Sequence, residues 1–144
     1  MAKPTRRILV VSDLHVGSTV GLWPGRHRIE GGGTYEANKF QRWLYRCWRD
    51  LIDSVDDSPI LVINGDIIQG LNHRDGQLIS SNISDQTAAA QTLLQPLVAK
   101  CSRLLVIRGT EWHEGKASED VELLAKSLGA EADPDAGQYT RWEL

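Results

Sequence analysis

Acids and histidines stand at the ends of apolar runs in this chain. Ile8-Leu9-Val10-Val11-Ser12 leads into Asp13-Leu14-His15. Ile60-Leu61-Val62-Ile63-Asn64-Gly65 leads into Asp66, and Leu104-Leu105-Val106-Ile107-Arg108-Gly109 leads into Thr110-Glu111-Trp112-His113-Glu114. Short apolar runs rich in branched residues read as buried strands. Strand side chains alternate with a period of two, so Asp13 and His15 point to one side if extended geometry persists through Leu14. A carboxylate and an imidazole aimed at one point suit a divalent cation. A carboxylate can also bridge two cations, and hydrolytic pairs of ions about 3.5–4 Å apart polarise a phosphoryl oxygen and bring a water's pKa toward ~7. Asp66 suits the bridge. Asp13 and His15 suit one ion, and His113 suits a proton donor or a second-site ligand. Taken singly, each Asp also reads as a turn or cap residue and His15 as a surface histidine. Their joint placement at equivalent strand ends favours the metal.

The elements that must position these groups follow from periodicity. Strands are expected over 6–12, 60–64 and 103–108. A long helix is expected over about 34–56, capped by Thr34, with Phe40, Trp43, Leu44, Cys47, Leu51 and Val55 as its inward stripe. A second, about 84–100, turns Ala88, Ala89, Ala90, Leu93, Leu94, Leu97 and Val98 inward, with Pro96 kinking or shortening it. A third, about 118–128, starts at Ser118 and stops before Gly129. A last strand is expected over 139–144. Residues 13–33 read as a loop, loosened by Gly31, Gly32 and Gly33, without the Gly-Lys-Ser/Thr ending of a phosphate loop. Arg26-His27-Arg28 in that loop is either a solvated basic turn or an anion clamp beside the site. The loop over 67–83 carries His73 and Arg74; His73 is a substrate contact or a solvated loop histidine, and Arg74 adds a cation near the same end.

Strand, helix, strand, helix, strand, helix predicts one α/β domain over 1–144, a parallel β-α-β-α-β-α sheet with right-handed crossovers. Ligands of such sheets bind beyond the carboxyl ends of the strands, where all three motifs fall. The 144 residues suffice for a real core. A net charge of −3 exerts no global pull on nucleic acid or anionic membrane. No apolar run approaches the ~20 residues of a membrane helix, and a soluble, cytoplasmic protein is expected. Cys47 and Cys101 lack metal-knuckle spacing and read as buried reduced thiols. The five tryptophans read mostly as core or site-wall residues.

Asp13-Leu14-His15, Asn64-Gly65-Asp66 and Gly109-x-x-x-His113-Glu114 resemble the first three motifs of the calcineurin-like metallophosphoesterases: Asp-x-His, Gly-Asp, and Gly-Asn-His-Asp/Glu. The resemblance spans residues 6 to about 115. It implies the N-terminal half of an αββα sandwich, with Asp13 and His15 on a first metal, Asp66 bridging two, and His113 donating a proton. The metals implied are manganese, iron, zinc or nickel. The family's Asn ligand is replaced here; Glu111 is the better candidate in its place and Thr110 the other, with Glu111 as a plain surface acid as the alternative. The Gly-Thr-Glu-x-His form is also similar to a phage and prophage branch. The chain has four histidines and none after His113, so the later histidine motifs are missing, and a fragment or short form is expected. The leading function is metal-dependent hydrolysis of a phosphodiester or nucleotide-type substrate, with Arg26, Arg28, Arg74 and His73 as substrate contacts. The alternatives are a weakly catalytic metal-binding module that acts in assembly, and a DNA-processing nuclease. A half-sandwich leaves a sheet edge or face uncovered, so a homo-oligomer or a missing C-terminal half is expected.

Overall fold

The computed structural model describes residues 6–72, 77–115 and 118–143. In chain order the elements are β1 (Ile8–Val11), β2 (Arg26–Ile29), β3 (Gly33–Glu36), α1 (Lys39–Ser54), β4 (Ile60–Asn64), α2 (Ile83–Val98), β5 (Arg103–Ile107), α3 (Glu111–Glu114), α4 (Glu119–Ser127) and β6 (Thr140–Arg141). The apolar runs form a four-stranded sheet in the order β1-β4-β5-β6, parallel throughout. Val11 pairs with Ile63 and Ile63 with Val106, so the three main strands deliver their exits at one level.

Alternation along these strands separates two faces. Leu9, Val11, Leu61, Ile63, Leu104 and Val106 join the hydrophobic core, with Leu93, Leu94 and Leu97 of α2 and Val121 and Leu124 of α4. Ile8 and Val10 lie on the opposite face, 63% and 58% exposed. Val62 shares that face and is buried, yet stands outside the main core.

The structure corrects the expected start of the first helix. Residues 26–29 and 33–36 pair as an antiparallel hairpin, with Arg28 opposite Thr34. The reason is alternation: His27 and Ile29 turn inward while Arg26 and Arg28 turn out. His27 meets Thr92 of α2 through Nε2 (3.3 Å), and Trp23 packs edge-on against both His27 and Tyr35. Thr34 therefore sits in a strand, which suits its branched Cβ. The cap is Asn38, whose side chain accepts from the Gln41 N–H (2.9 Å) while Gln41 Oε1 accepts from the Asn38 N–H (3.1 Å).

The inward stripe of α1 also differs. Gln41, Trp48 and Ile52 are its buried residues. Gln41 is held by two carbonyls, those of Ser18 (3.0 Å) and Gly21 (3.3 Å), and Trp48 Nε1 donates to the Leu93 carbonyl (3.0 Å). Phe40 and Trp43 are instead exposed, as is Cys47. Trp23 and Trp48 are buried, but Trp43, Trp112 and Trp142 are exposed, against the expectation of mostly interior tryptophans.

The remaining elements sit close to their expected bounds. α2 runs through Pro96 to Val98, because the missing N–H falls in the last turn, where one lost bond matters least. Gly129, at φ +82°, follows the end of α4, and the Ala130 N–H donates to the Ala125 carbonyl (3.0 Å) in a left-handed stop. The last strand is shorter than expected, Thr140–Arg141. Among the described residues, no helix is long and apolar enough to cross a membrane.

Candidate metal centre

Beyond the carboxyl ends of β1 and β4 the two segments remain bonded. The Asp13 N–H donates to the Gly65 carbonyl (3.2 Å), the His15 N–H to that of Asp66 (3.1 Å), and the Val16 N–H to that of Ile67 (2.9 Å). Extended geometry does not persist, however. Asp13 (φ 55°), His15 (φ 45°) and Asp66 (φ 50°) are all left-handed, which corrects the expected period-two strand through Leu14. For non-glycine residues this costs roughly 1–3 kcal/mol each. Leu14 and Val16 are buried and anchor the strained segment in the core. The strain leaves Asp13 and His15 side by side, with Asp13 Oδ1 3.8 Å from His15 Nε2.

The exits of β4 and β5 are held together by close backbone packing. A Cβ on Gly65 would lie 2.8 Å from Gly109 Cα, and Gly65 is itself at φ +74°. A Cβ on Gly109 would collide with the backbone N and Oδ1 of Asp66. Glycine at both positions lets the two exits approach this closely. Glu114 then ties them: its buried carboxylate accepts from the Gly109 N–H (2.8 Å) and the Ile67 N–H (3.3 Å). Burial pushes the Glu114 carboxyl above its usual range, and those two N–H groups pull against it. Asp66 Oδ1 accepts from both the N–H (2.7 Å) and the hydroxyl (3.0 Å) of Thr110.

The result is a cluster of three. One ligand atom each from His15, Asp66 and His113 lies within 4.8 Å of the others. The rings of His15 and His113 meet edge-on with centroids 4.5 Å apart. His113 Nδ1 lies 2.9 Å from the Gln69 carbonyl, which can only accept, so Nδ1 carries a proton and Nε2 is the nitrogen through which the neutral ring can ligate. A backbone carbonyl that orients a ligating imidazole in this way is the usual outer partner of a metal-bound histidine.

Two further observations bear on whether a metal fits. His15 Nδ1 is buried without a hydrogen-bond partner. Two imidazoles and one carboxylate are also the donor set that manganese, iron and zinc accept. The residues present therefore fit a divalent transition metal, and among the described residues this is the one group of its kind.

Not every expected site residue joins the cluster. Asp13 neighbours His15 but is 65% exposed and lies outside the mutually close three. Glu111 is exposed at the start of α3 and is also outside it. Arg26 is on β2, with Nε 3.8 Å from Glu36 Oε1. Arg28 lines a separate groove with Glu30, Ser84 and Asp85. The basic segment is thus a strand over α2 rather than a turn beside the site. His73 and Arg74 lie outside the described residues. Glu114 is not among the expected site residues, and Thr110 enters there only as the alternative to Glu111 in place of the family's Asn. The signal for Thr110 is a hydroxyl at a helix cap position whose side chain makes no cap bond to its own helix.

No family model, no curated protein and no solved structure matches the chain.

Proposed function

We propose that this chain binds a divalent transition metal through His15, Asp66 and His113 and hydrolyses a phosphate ester there, in the manner of a calcineurin-like metallophosphoesterase. The observation that carries this reading is convergence. Three donors, two from loops and His113 from the short helix α3, meet beyond the ends of adjacent parallel strands, and two of them sit on left-handed backbone. Such strain persists where the surroundings over-determine it, and it clusters at functional sites. The exposed sheet face carrying Ile8 and Val10 also supports the comparison, because the first half of a two-sheet sandwich would present such a face.

A divalent ion held by the three donors supplies Lewis acidity toward a phosphoryl oxygen and a more acidic water. The chain's own groups do the rest. Thr110 holds one oxygen of Asp66 and so fixes where the carboxylate can point. Gln69 holds His113 in the tautomer whose Nε2 can ligate or can take up and release a proton. Asp13, beside His15, adds negative charge on the solvent side and is placed to complete a coordination shell or orient a water. The substrate is a phosphodiester or nucleotide-type ester.

A second reading rests on the position of Glu111. With Glu111 outside the cluster, three protein donors suffice for one ion rather than two. A single-ion site with little turnover, serving assembly, would follow. Calorimetry with Mn²⁺ and hydrolysis of bis(p-nitrophenyl) phosphate separate the two readings. Metal-dependent turnover that disappears in Asp66→Asn is expected. One bound ion with no turnover on any phosphoester favours the assembly module, and no bound ion removes both.

A further inference from the structure

The helix stripe that periodicity assigned to the core is divided: Leu44, Leu51 and Val55 pack against the core, while Phe40 and Cys47 stay open to solvent. Phe40, Leu44 and Cys47 of α1 line an open groove with Trp48. Its other wall is the strained segment after β1, through Leu14 and Leu22. Asp13 and His15 line the same groove. One wall of an apolar trough is therefore made by a candidate metal ligand.

We infer that this groove seats a neutral aromatic or branched apolar group of the ester whose phosphoryl lies at the metal centre; the inference rests on the phosphoesterase reading above. Three features select that occupant. The groove holds about 410 Å³, while an apolar cavity of about 150 Å³ already accepts benzene. Its lining contains no Lys or Arg, and its one carboxylate is Asp13, so an anionic group has no counter-charge there. Phe40 is 48% exposed and Cys47 is exposed beside it, so apolar surface stays in water that a bound ring would cover. Small-molecule sites commonly combine an apolar trough with a few convergent polar groups, and here those groups are His15 and Asp13.

The test compares two non-hydrolysable probes, phenylphosphonate and methylphosphonate, on the Mn²⁺-loaded full chain by calorimetry. They share the anionic head and differ only in the apolar group. Phenylphosphonate should bind roughly tenfold tighter, the effect expected from covering part of one ring in an open groove. Alkylating Cys47 with a bulky maleimide in a Cys101→Ser background should abolish that preference and leave Mn²⁺ binding unchanged. Phe40→Asp, at an exposed position, should do the same without threatening the fold. Equal affinity for the two probes in the unmodified protein overturns the inference while leaving the metal reading intact. So does a preference that survives both the alkylation and Phe40→Asp. Failure of Mn²⁺ to bind at all overturns both readings, and the metal titration alone reports it.

Discussion

The two ends of the parallel sheet use the same backbone device for opposite purposes. At the amino end, Asp57 (φ 58°) and Ser58 (φ 45°) are left-handed, as Asp13, His15 and Asp66 are at the carboxyl end. At the amino end Arg7 and Arg103 are paired. Arg7 reaches Asp56 (2.8 Å) and Asp57 (3.3 Å), and Arg103 binds both oxygens of Glu131 at 2.6 Å. At the carboxyl end, two imidazoles and a carboxylate face one another and a buried His15 nitrogen has no partner. A left-handed Asp in an exposed turn is ordinary, because its short side chain tolerates that region. Strain alone therefore does not mark a site. Strain combined with three metal-type groups converging on one point, one of them His15 with a buried, unpartnered nitrogen, does.

If that contrast is right, the largest effect of a conservative change falls on Asp66. Asp66→Asn keeps shape and removes charge. It should weaken Mn²⁺ binding by about 100-fold or more, beyond the ~10–100-fold typical of losing an outer partner. Thermal stability without metal should change little, since Asn tolerates the left-handed backbone and its Oδ1 can still accept from Thr110. Unchanged metal affinity in a calorimetric titration would erase the distinction between the two ends.

Next comes the packing that makes the carboxyl end possible. Gly109→Ala places a methyl against the backbone N and Oδ1 of Asp66 and 2.6 Å from Glu114 Oε1. Backbone cannot yield as a flexible side chain does, so a loss of about 1–3 kcal/mol in denaturant unfolding is expected. Metal affinity should fall with it. A variant as stable as the parent would mean the β4 and β5 exits are looser than the contacts imply.

The same contrast explains what could be read from the sequence. Residues 60–64 were legible as a strand to the residue, and β5, α2 and α4 to within one or two, because apolar periodicity and stop signals agree there. Asp13, His15, Asp66 and His113 stood out because each follows an apolar run. The holders of the site did not. Glu114 meets Ile67 across 47 residues and Thr110 meets Asp66 across 44, and no local pattern encodes such pairs. The β2–β3 hairpin was hidden because Arg-His-Arg-Ile reads as polar when only alternate side chains turn inward. The core stripe of α1 was only partly legible: Leu44, Leu51 and Val55 do pack against the core, but Gln41, a polar residue buried by two carbonyls, gave no apolar signal, and Phe40 and Cys47 face a groove.

A smaller effect tests an intermediate case, the junction of α4 with β6. The Glu122 carboxylate accepts from the N–H groups of Tyr139 (2.6 Å) and Thr140 (2.8 Å) and from the Thr140 hydroxyl (2.7 Å). Burial pushes its pKa up, but these three bonds and the nearby Arg108 charge outweigh it and hold the carboxyl below its usual range. A depressed folded value means the unfolded chain binds the proton more readily. The stabilisation is therefore complete above the unfolded value of about 4.3 and disappears as pH falls through the lower folded value. The stability gap between the parent and Glu122→Gln should be constant at neutral pH and close in acid below about pH 4. A gap that instead widens on acidification would reverse the sign assigned here.

The smallest effect belongs to the amino end itself. Arg103 and Glu131 form a two-pronged pair with good geometry, and the hydrogen bonds from Arg103, more than its charge, hold the Glu131 carboxyl below its usual range. Both side chains are nonetheless open to water, 41% and 38% exposed. An exposed pair gains little from its Coulomb attraction and gives much of it back in side-chain entropy. Glu131→Gln should therefore shift the unfolding midpoint only slightly in dilute buffer. The shift should vanish near 1 M salt, where screening acts over about 3 Å. Metal affinity should not change at either ionic strength. A loss from Glu131→Gln that matched Gly109→Ala, or that lowered Mn²⁺ affinity, would show the amino end coupled to the site, and the division of labour between the two ends would fail.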